Sequence, residues 1–289
     1  MTNIRRNGWF NTFAALLLGA VAALSLGGCS VNPATGERQF NMLSEDQEVA
    51  LGIEAAPQFL QQGGGKIPDA NVQAYVSSIG QKLAAASERP DLPWEFFALN
   101  SPIINAFALP GGKVFITRGL MEQLENEAEL AAVLGHEVGH VNAEHIGQQM
   151  SRAKVFEIGL QVVGAVSEQS WIDTALGAGG NLYLLKFGRD QESQSDSLGL
   201  RYMTKCGYDP RGMLGVMHVL QDASGGGGIE MLQTHPLPQT RIDRVEQEIN
   251  EGYAAMLNNP QYTLQPTPYQ QQALAPLKKL PPAPQPKAQ

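Results

Sequence analysis

Val72, Tyr75, Val76, Ile79 and Leu83 fall on one face of a helix that Asp69 would cap. Ahead of it, Ser44 and Gln47 form a capping box for a helix that Gly63-Gly64-Gly65 stops near Gln62. The pattern then shortens: Trp94 to Leu99, Ile103 to Leu109 and Lys113 to Thr117 read as strands, with Pro110-Gly111-Gly112 turning between the last two. Helical spacing resumes at Asn126, where Glu129 completes a second capping box, and runs through His140, at its longest to His145. Further helices are expected from Ile146 to about Val166, Leu182 to Lys205, Gly212 to Gln221 and Gln239 to Ile249. Gly177 to Gly180 and Ser224 to Gly228 separate them as loops, and Gly207 stands where a C-terminal cap belongs. Mostly helices with one small sheet make an α+β body over residues 44–252, without internal repeats.

Both flanks depart from this pattern. Arg5 and Arg6 precede a fourteen-residue apolar stretch, Phe13 to Leu26, which suits the core of a signal peptide but falls short of the roughly 20 residues a bilayer span takes. Leu26-Gly27-Gly28-Cys29 resembles a bacterial lipobox. Cleavage before Cys29 would remove residues 1–28 and leave that cysteine for acylation; the alternative is an ordinary signal peptide with an incidental cysteine. Ser30, in place of aspartate, goes with outer-membrane sorting, so the expectation is an outer-membrane lipoprotein facing the periplasm, held by acyl chains alone. Residues 29–43, with turn formers at Asn32-Pro33 and Thr35-Gly36, read as a tether. Eight of the last thirty residues are proline and only Lys278, Lys279 and Lys287 carry charge there, so residues 253–289 are expected to be disordered or polyproline-like, free to meet a partner.

Composition narrows the function classes. A hydrophobic content of 43% supports a sizeable core, and the net charge of −8 sets nucleic acid aside as a partner. Two cysteines, Cys29 and Cys206, exclude a four-cysteine zinc site and a disulfide framework; Cys206 reads as a small core residue.

His136-Glu137-Val138-Gly139-His140 puts two imidazoles four apart, on one helix face, with Glu137 beside them. The apolar run Ala128 to Leu134 would bury them. A catalytic zinc takes three protein ligands and keeps a fourth position for water. A third histidine six residues beyond His140 would complete one known arrangement, but Ile146 stands there, and Ala143 occupies the glycine position. His145 is one residue out of register, and Glu144 on that turn is expected in solvent. Glu192, in Glu192-Ser193-Gln194-Ser195-Asp196, is the candidate third ligand, and Asp196 one turn on can accept the outer N–H of a ligand histidine. With Zn²⁺ polarising water and carbonyl, Glu137 would carry the proton from water to the leaving amine. His235 and Arg241, flanking Pro236 to Thr240, are candidate donors to the oxyanion.

Together these motifs resemble the gluzincin metallopeptidases related to the CAAX prenyl proteases and HtpX, peptidase family forty-eight, in the lipoprotein and periplasmic branch of the LoiP and BepA type. The similarity covers about Asn32 to Asn250 and includes Asn105-Ala106-Phe107-Ala108-Leu109-Pro110-Gly111-Gly112 and Phe187-Gly188-Arg189-Asp190-Gln191-Glu192. It implies a zincin fold, with one Zn²⁺ on His136, His140 and Glu192, Glu137 as base, Asp196 behind a ligand, and His235 and Arg241 assisting the oxyanion. It also implies that the strand Asn105, Ala106, Phe107, Ala108 to Leu109 pairs with an extended substrate backbone. Ser195 stands where the family more often has alanine. The expected function is a zinc endopeptidase acting on unfolded or misassembled envelope proteins. A rival is a chaperone-like binding protein in which the Gly225–Gly228 loop lets His235 latch the metal's open position.

Overall fold

The sequence Lys113–Thr117 is buried at all five positions, as a strand flanked on both edges and covered on both faces must be. The computed structural model describes residues 29–162, 186–223 and 231–284. The expected signal peptide (1–28) and the loops at 177–180 and 224–228 lie outside the described residues. In chain order the elements are β1 (Cys29–Val31), β2 (Arg38–Phe40), α1 (Glu45–Gln62), α2 (Ala70–Ala85), β3 (Glu95–Leu99), β4 (Ala106–Leu109) and β5 (Lys113–Thr117). They continue with α3 (Arg118–Met121), α4 (Glu127–Asn142), α5 (His145–Val162), α6 (Arg189–Lys205), α7 (Arg211–Ala223), α8 (Met231–Thr234) and α9 (Gln239–Gly252), an α+β architecture. Among the described residues no helix is long and apolar enough to cross a membrane.

The sheet order is β3-β5-β4, with β3 parallel and β4 antiparallel to β5. Gly111 and Gly112 turn β4 into β5 at φ of +69° and +90°. A Cβ on Gly111 would sit 2.4 Å from the Cα of Val49, so only glycine lets this turn pack against α1. β4 begins later than its apolar pattern suggests, because Thr117 Oγ1 takes over the chain before it: it donates to Ile103 O at 2.5 Å and accepts from Asn105 N–H at 3.0 Å. Asn105, expected within the strand, therefore lies just before it.

Behind the sheet, Val72, Val76, Ile79 and Leu83 of α2 are buried. Every residue of α4 is buried as well, which makes it a core helix rather than an amphipathic one. Its N-terminus is capped: Asn126 Oδ1 accepts Glu129 N–H at 3.0 Å, and just before it Glu129 Oε2 takes Glu125 N–H at 2.6 Å.

The next two donors correct an expectation. Glu127 N–H and Ala128 N–H bond to Gln265 O (3.4 Å) and Leu264 O (3.1 Å), so the C-terminal segment caps α4. Residues 253–284 are folded rather than disordered. Tyr269, Ala273 and Leu277 are fully buried, Tyr269 Oη donates to Met121 O at 2.6 Å, and Arg118 donates to Leu277 O and Pro281 O. The proline count misled because Pro266 opens a helical turn, where a missing N–H costs nothing, and Pro276 follows directly on a π-helical stretch, Gln270–Leu274, in the same helical run.

The tether is also a packed element. β1 and β2 pair as a hairpin, and the buried Asn32 between them donates to Ala143 O at 3.4 Å, at the end of α4. Glu144, expected in solvent, is half-buried and accepts from Asn41 Nδ2 at 2.9 Å and from Gln39. Beside it Arg89 donates to Val141 O at 3.0 Å and pairs with Glu48 at 3.0 Å.

Two predictions follow from the buried groups. Tyr269→Ala should lower unfolding free energy by about 3–5 kcal/mol in urea titrations, as removal of a buried aromatic does; unchanged stability would mean that the segment is not docked. Burial pushes the Glu48 carboxyl from 4.5 up to about 7, against the pull of Arg89 and with help from Glu144. The folded protein then binds a proton there that the unfolded chain has lost, so stability falls as pH rises from about 4.5 to 7 and levels off above. The loss should approach about 1 kcal/mol per pH unit relative to Glu48→Gln; parallel curves for the two proteins would contradict it.

Candidate active site

Two helices supply the site, and they touch along a seam of small residues. A Cβ on Gly139 of α4 would lie 3.1 Å from Ser195 O of α6, and one on Gly199 of α6 would lie 3.0 Å from His136 N. This close approach sets Glu192 and Asp196, one turn apart on α6, against His136 and His140, one turn apart on α4. Gly188 opens α6, with the Gln191 side chain returning to its N–H at 3.2 Å.

The imidazole Nε2 atoms of His136 and His140 stand 3.0 Å apart. Glu192 lies 3.4 Å from the latter and 3.6 Å from the former. His235, entering from the segment after α8, places Nδ1 2.8 Å from Glu192 and 3.4 Å from His136 Nε2. Among the described residues these four side chains, all buried, are the one group that brings metal-ligating atoms within 4.8 Å of one another. Tetrahedral ligands about 2.0–2.1 Å from a zinc ion stand roughly 3.3 Å from each other, so the spacing fits. The charge fits too: the buried Glu137, Glu192 and Asp196 are met by the guanidinium of Arg241, with the more exposed Arg244 3.5 Å from Asp196, an imbalance that a dication offsets.

Electrostatics agree with ligand chemistry. Burial, with the neighbouring imidazoles, holds His140 well below its ordinary value, so it offers a neutral lone pair. Burial opposes ionisation of Glu192, yet His235, His140 and Arg241 hold its carboxyl well below the usual range. Asp196 behaves alike, drawn down by Arg241 and His136 against its burial. Glu137 is pushed up by burial, against His235 and His136, and its Oε1 is buried with no hydrogen-bond donor. A proton acceptor near the cluster is thus left uncommitted.

The supporting contacts sort the remaining sequence candidates. Asp196 Oδ1 meets His136 Nδ1 at 3.0 Å, where a carboxylate fixes a ligand tautomer. Arg241 holds Asp196 in a fork, Nε and Nη2 each at 2.7 Å, while Nη1 donates to Pro236 O and pairs with Glu192. All three of its nitrogens are engaged. Arg241, expected as an oxyanion donor, is placed here as a brace on both carboxylates. His235 is drawn into the ligand cluster rather than standing beside it.

Sequence spacing missed His145. It is buried, burial pushes it down to about 4, and its Nδ1 lies 2.9 Å from His140 Nδ1. A continuous helix would carry a residue five positions on away from His140. Glu144 breaks the helix in the left-handed region, at φ 55°, and swings His145 back. Phe187, which the sequence marks only as part of the segment leading to Glu192, has its ring centroid 4.1 Å from that of His140 and 5.1 Å from that of His235, closing an apolar side over the cluster. Outside it, a cleft of about 250 Å³ opens between Phe187, Arg189, Glu192, Pro236, Pro238 and Arg241.

Two imidazoles and a carboxylate converging beside an uncommitted glutamate define a metallopeptidase centre. The chain belongs to peptidase family M48, whose family model matches residues 70–249. It is similar to the beta-barrel assembly-enhancing protease of Escherichia coli K12, 27% identical over 259 residues, covering 86% of this chain and 53% of that protein. It is also similar to the mitochondrial metalloendopeptidase OMA1 of Schizosaccharomyces pombe, 30% identical over 76% of this chain and 66% of that protein. The OMA1 protein of Arabidopsis thaliana is 32% identical over 218 residues. The chain spans about half the length of the bacterial assembly-enhancing protease.

Proposed function

We propose that this protein is a zinc endopeptidase that cleaves extended segments of unfolded or misassembled envelope proteins. The observation that carries the reading is the convergence of His136, His140 and Glu192 beside Glu137. Zinc, when bound, supplies Lewis-acid polarisation of the water and the scissile carbonyl. The protein does the rest. Glu137 accepts the proton of the water at its undonated Oε1 and returns it to the leaving amine. Asp196 and Arg241 hold His136 and Glu192 in place.

Substrate selection falls to the sheet. β4 packs beside α4 and is bonded to β5 along one edge; among the described residues no strand pairs with the other. A substrate added there, along Asn105, Ala106, Phe107 and Ala108, has to be extended, which selects unfolded chains and tolerates many sequences. The relative's name, an assembly-enhancing protease, supports an envelope setting. The lipobox at Cys29 and Ser30 after it support a lipid anchor in the outer membrane, facing the periplasm.

One observation favours a second reading, in which the resting site is latched and the protein serves mainly in binding. His235 stands 2.8 Å from Glu192 and 3.8 Å from Glu137, filling the space between ligand and base where a water would lie.

Two variants test these readings. Glu137→Gln, at equal zinc content, should cut digestion of unfolded casein by at least about 100-fold, the usual loss on removing a general base; undiminished cleavage would rule out the mechanism. His235→Ala should raise casein cleavage if His235 is a latch and lower it if His235 donates to the oxyanion. Activity equal to the parent protein would remove both roles.

A further inference from the structure

The proton positions around His140 follow from a chain of contacts that begins at the backbone. Asn32 Oδ1 accepts the N–H groups of Ala34 at 2.9 Å and Thr35 at 3.3 Å, so its other terminal atom is the amide nitrogen. That nitrogen reaches Gln194 Oε1 at 3.4 Å, which identifies the Gln194 atom as an acceptor. His145 Nε2 lies 2.7 Å from the same oxygen and must donate to it. In a neutral ring the proton on Nε2 leaves Nδ1 as a lone pair. Ser195 Oγ, 3.3 Å from Nδ1, can donate to it as well. His140 Nδ1, facing this lone pair at 2.9 Å, then carries a proton, and His140 Nε2 is bare toward His136 and Glu192.

We propose that His145, oriented by Gln194, is a positioning residue that locks His140 in the Nδ1–H tautomer and presets its Nε2 as a metal donor. The proposal rests on the zinc reading above. It gives the two ligand histidines different supports: a carboxylate, Asp196, behind His136, and a neutral imidazole behind His140. The difference has a physical reason. Glu137, Glu192 and Asp196 already crowd the cluster, and Arg241 is fully engaged with two of them. A further carboxylate behind His140, which is completely buried, would lack a cation. An imidazole directs the same hydrogen bond without adding charge.

The test uses the zinc-loaded full protein and reads something other than cleavage. Long-range ¹H–¹⁵N spectra of the imidazoles should show His145 protonated at Nε2 only and His140 protonated at Nδ1. A proton on His145 Nδ1 overturns the proposal while leaving the zinc site intact, whereas a protein that takes up no zinc overturns the zinc reading itself. In chelator competition, His145→Leu should weaken zinc binding about 10–100-fold, as loss of such a supporting partner does. His145→Asn, whose Oδ1 can stand where Nδ1 stood, should recover most of that loss. Equal weakening in both variants would show that the ring only fills space, and unchanged affinity in His145→Leu would show no role. The tautomer spectra of the unaltered protein decide the question even if a variant does not fold.

Discussion

The closeness of α4 and α6 is the constraint on which the rest of the site depends. Gly135 and Gly139 on one helix face Ser195 and Gly199 on the other, and added side-chain carbons would lie 3.0–3.3 Å from the opposing backbone. Ridges of ordinary side chains hold helices about 8–10 Å apart. A seam of small residues lets the backbones approach, so that short Asp and Glu side chains reach the imidazoles of the facing helix. The motif glycine inside His136–His140 is thus a packing requirement as much as part of a signature.

Such an arrangement places several charges out of water, which is costly unless each is paired. Arg241 resolves most of this by joining Asp196 and Glu192 in one bonded unit with His136. Removing one partner from a buried pair of this kind costs roughly 3–5 kcal/mol, far more than a surface ion pair contributes. The unit therefore registers α9 against α6 and α6 against α4, and its geometry and its stability cannot be varied independently. The C-terminal segment serves the same helix from its other end, where Leu264 and Gln265 accept the first N–H groups of α4.

What could be read in advance divides along the same lines. His136, Glu137, His140, Glu192 and Asp196 announce themselves because helical periodicity forces residue types into fixed spacings when they share a face. The strands and the N-terminal caps at Ser44, Asp69 and Asn126 are equally local, and each is present. His145 was hidden because its reach to His140 depends on one left-handed residue, Glu144. The brace of Arg241 and the docking of residues 253–284 were hidden for a different reason. They join parts of the chain far apart in sequence, and composition speaks of neither; proline at the start of a turn and proline in a disordered tail look alike until the partner surface is known.

The N-terminal hairpin carries one more consequence. Asn32 is fixed against Ala143 and Gln194, and only Ser30 and Val31 separate it from Cys29. Even fully extended, three residue steps cover only about 10 Å. A lipid on Cys29 would thus moor the body close to the bilayer instead of leashing it at a distance. If Cys29 carries that lipid, a body held so closely would work only a thin layer along the membrane, and substrates would have to come within that layer to be cut.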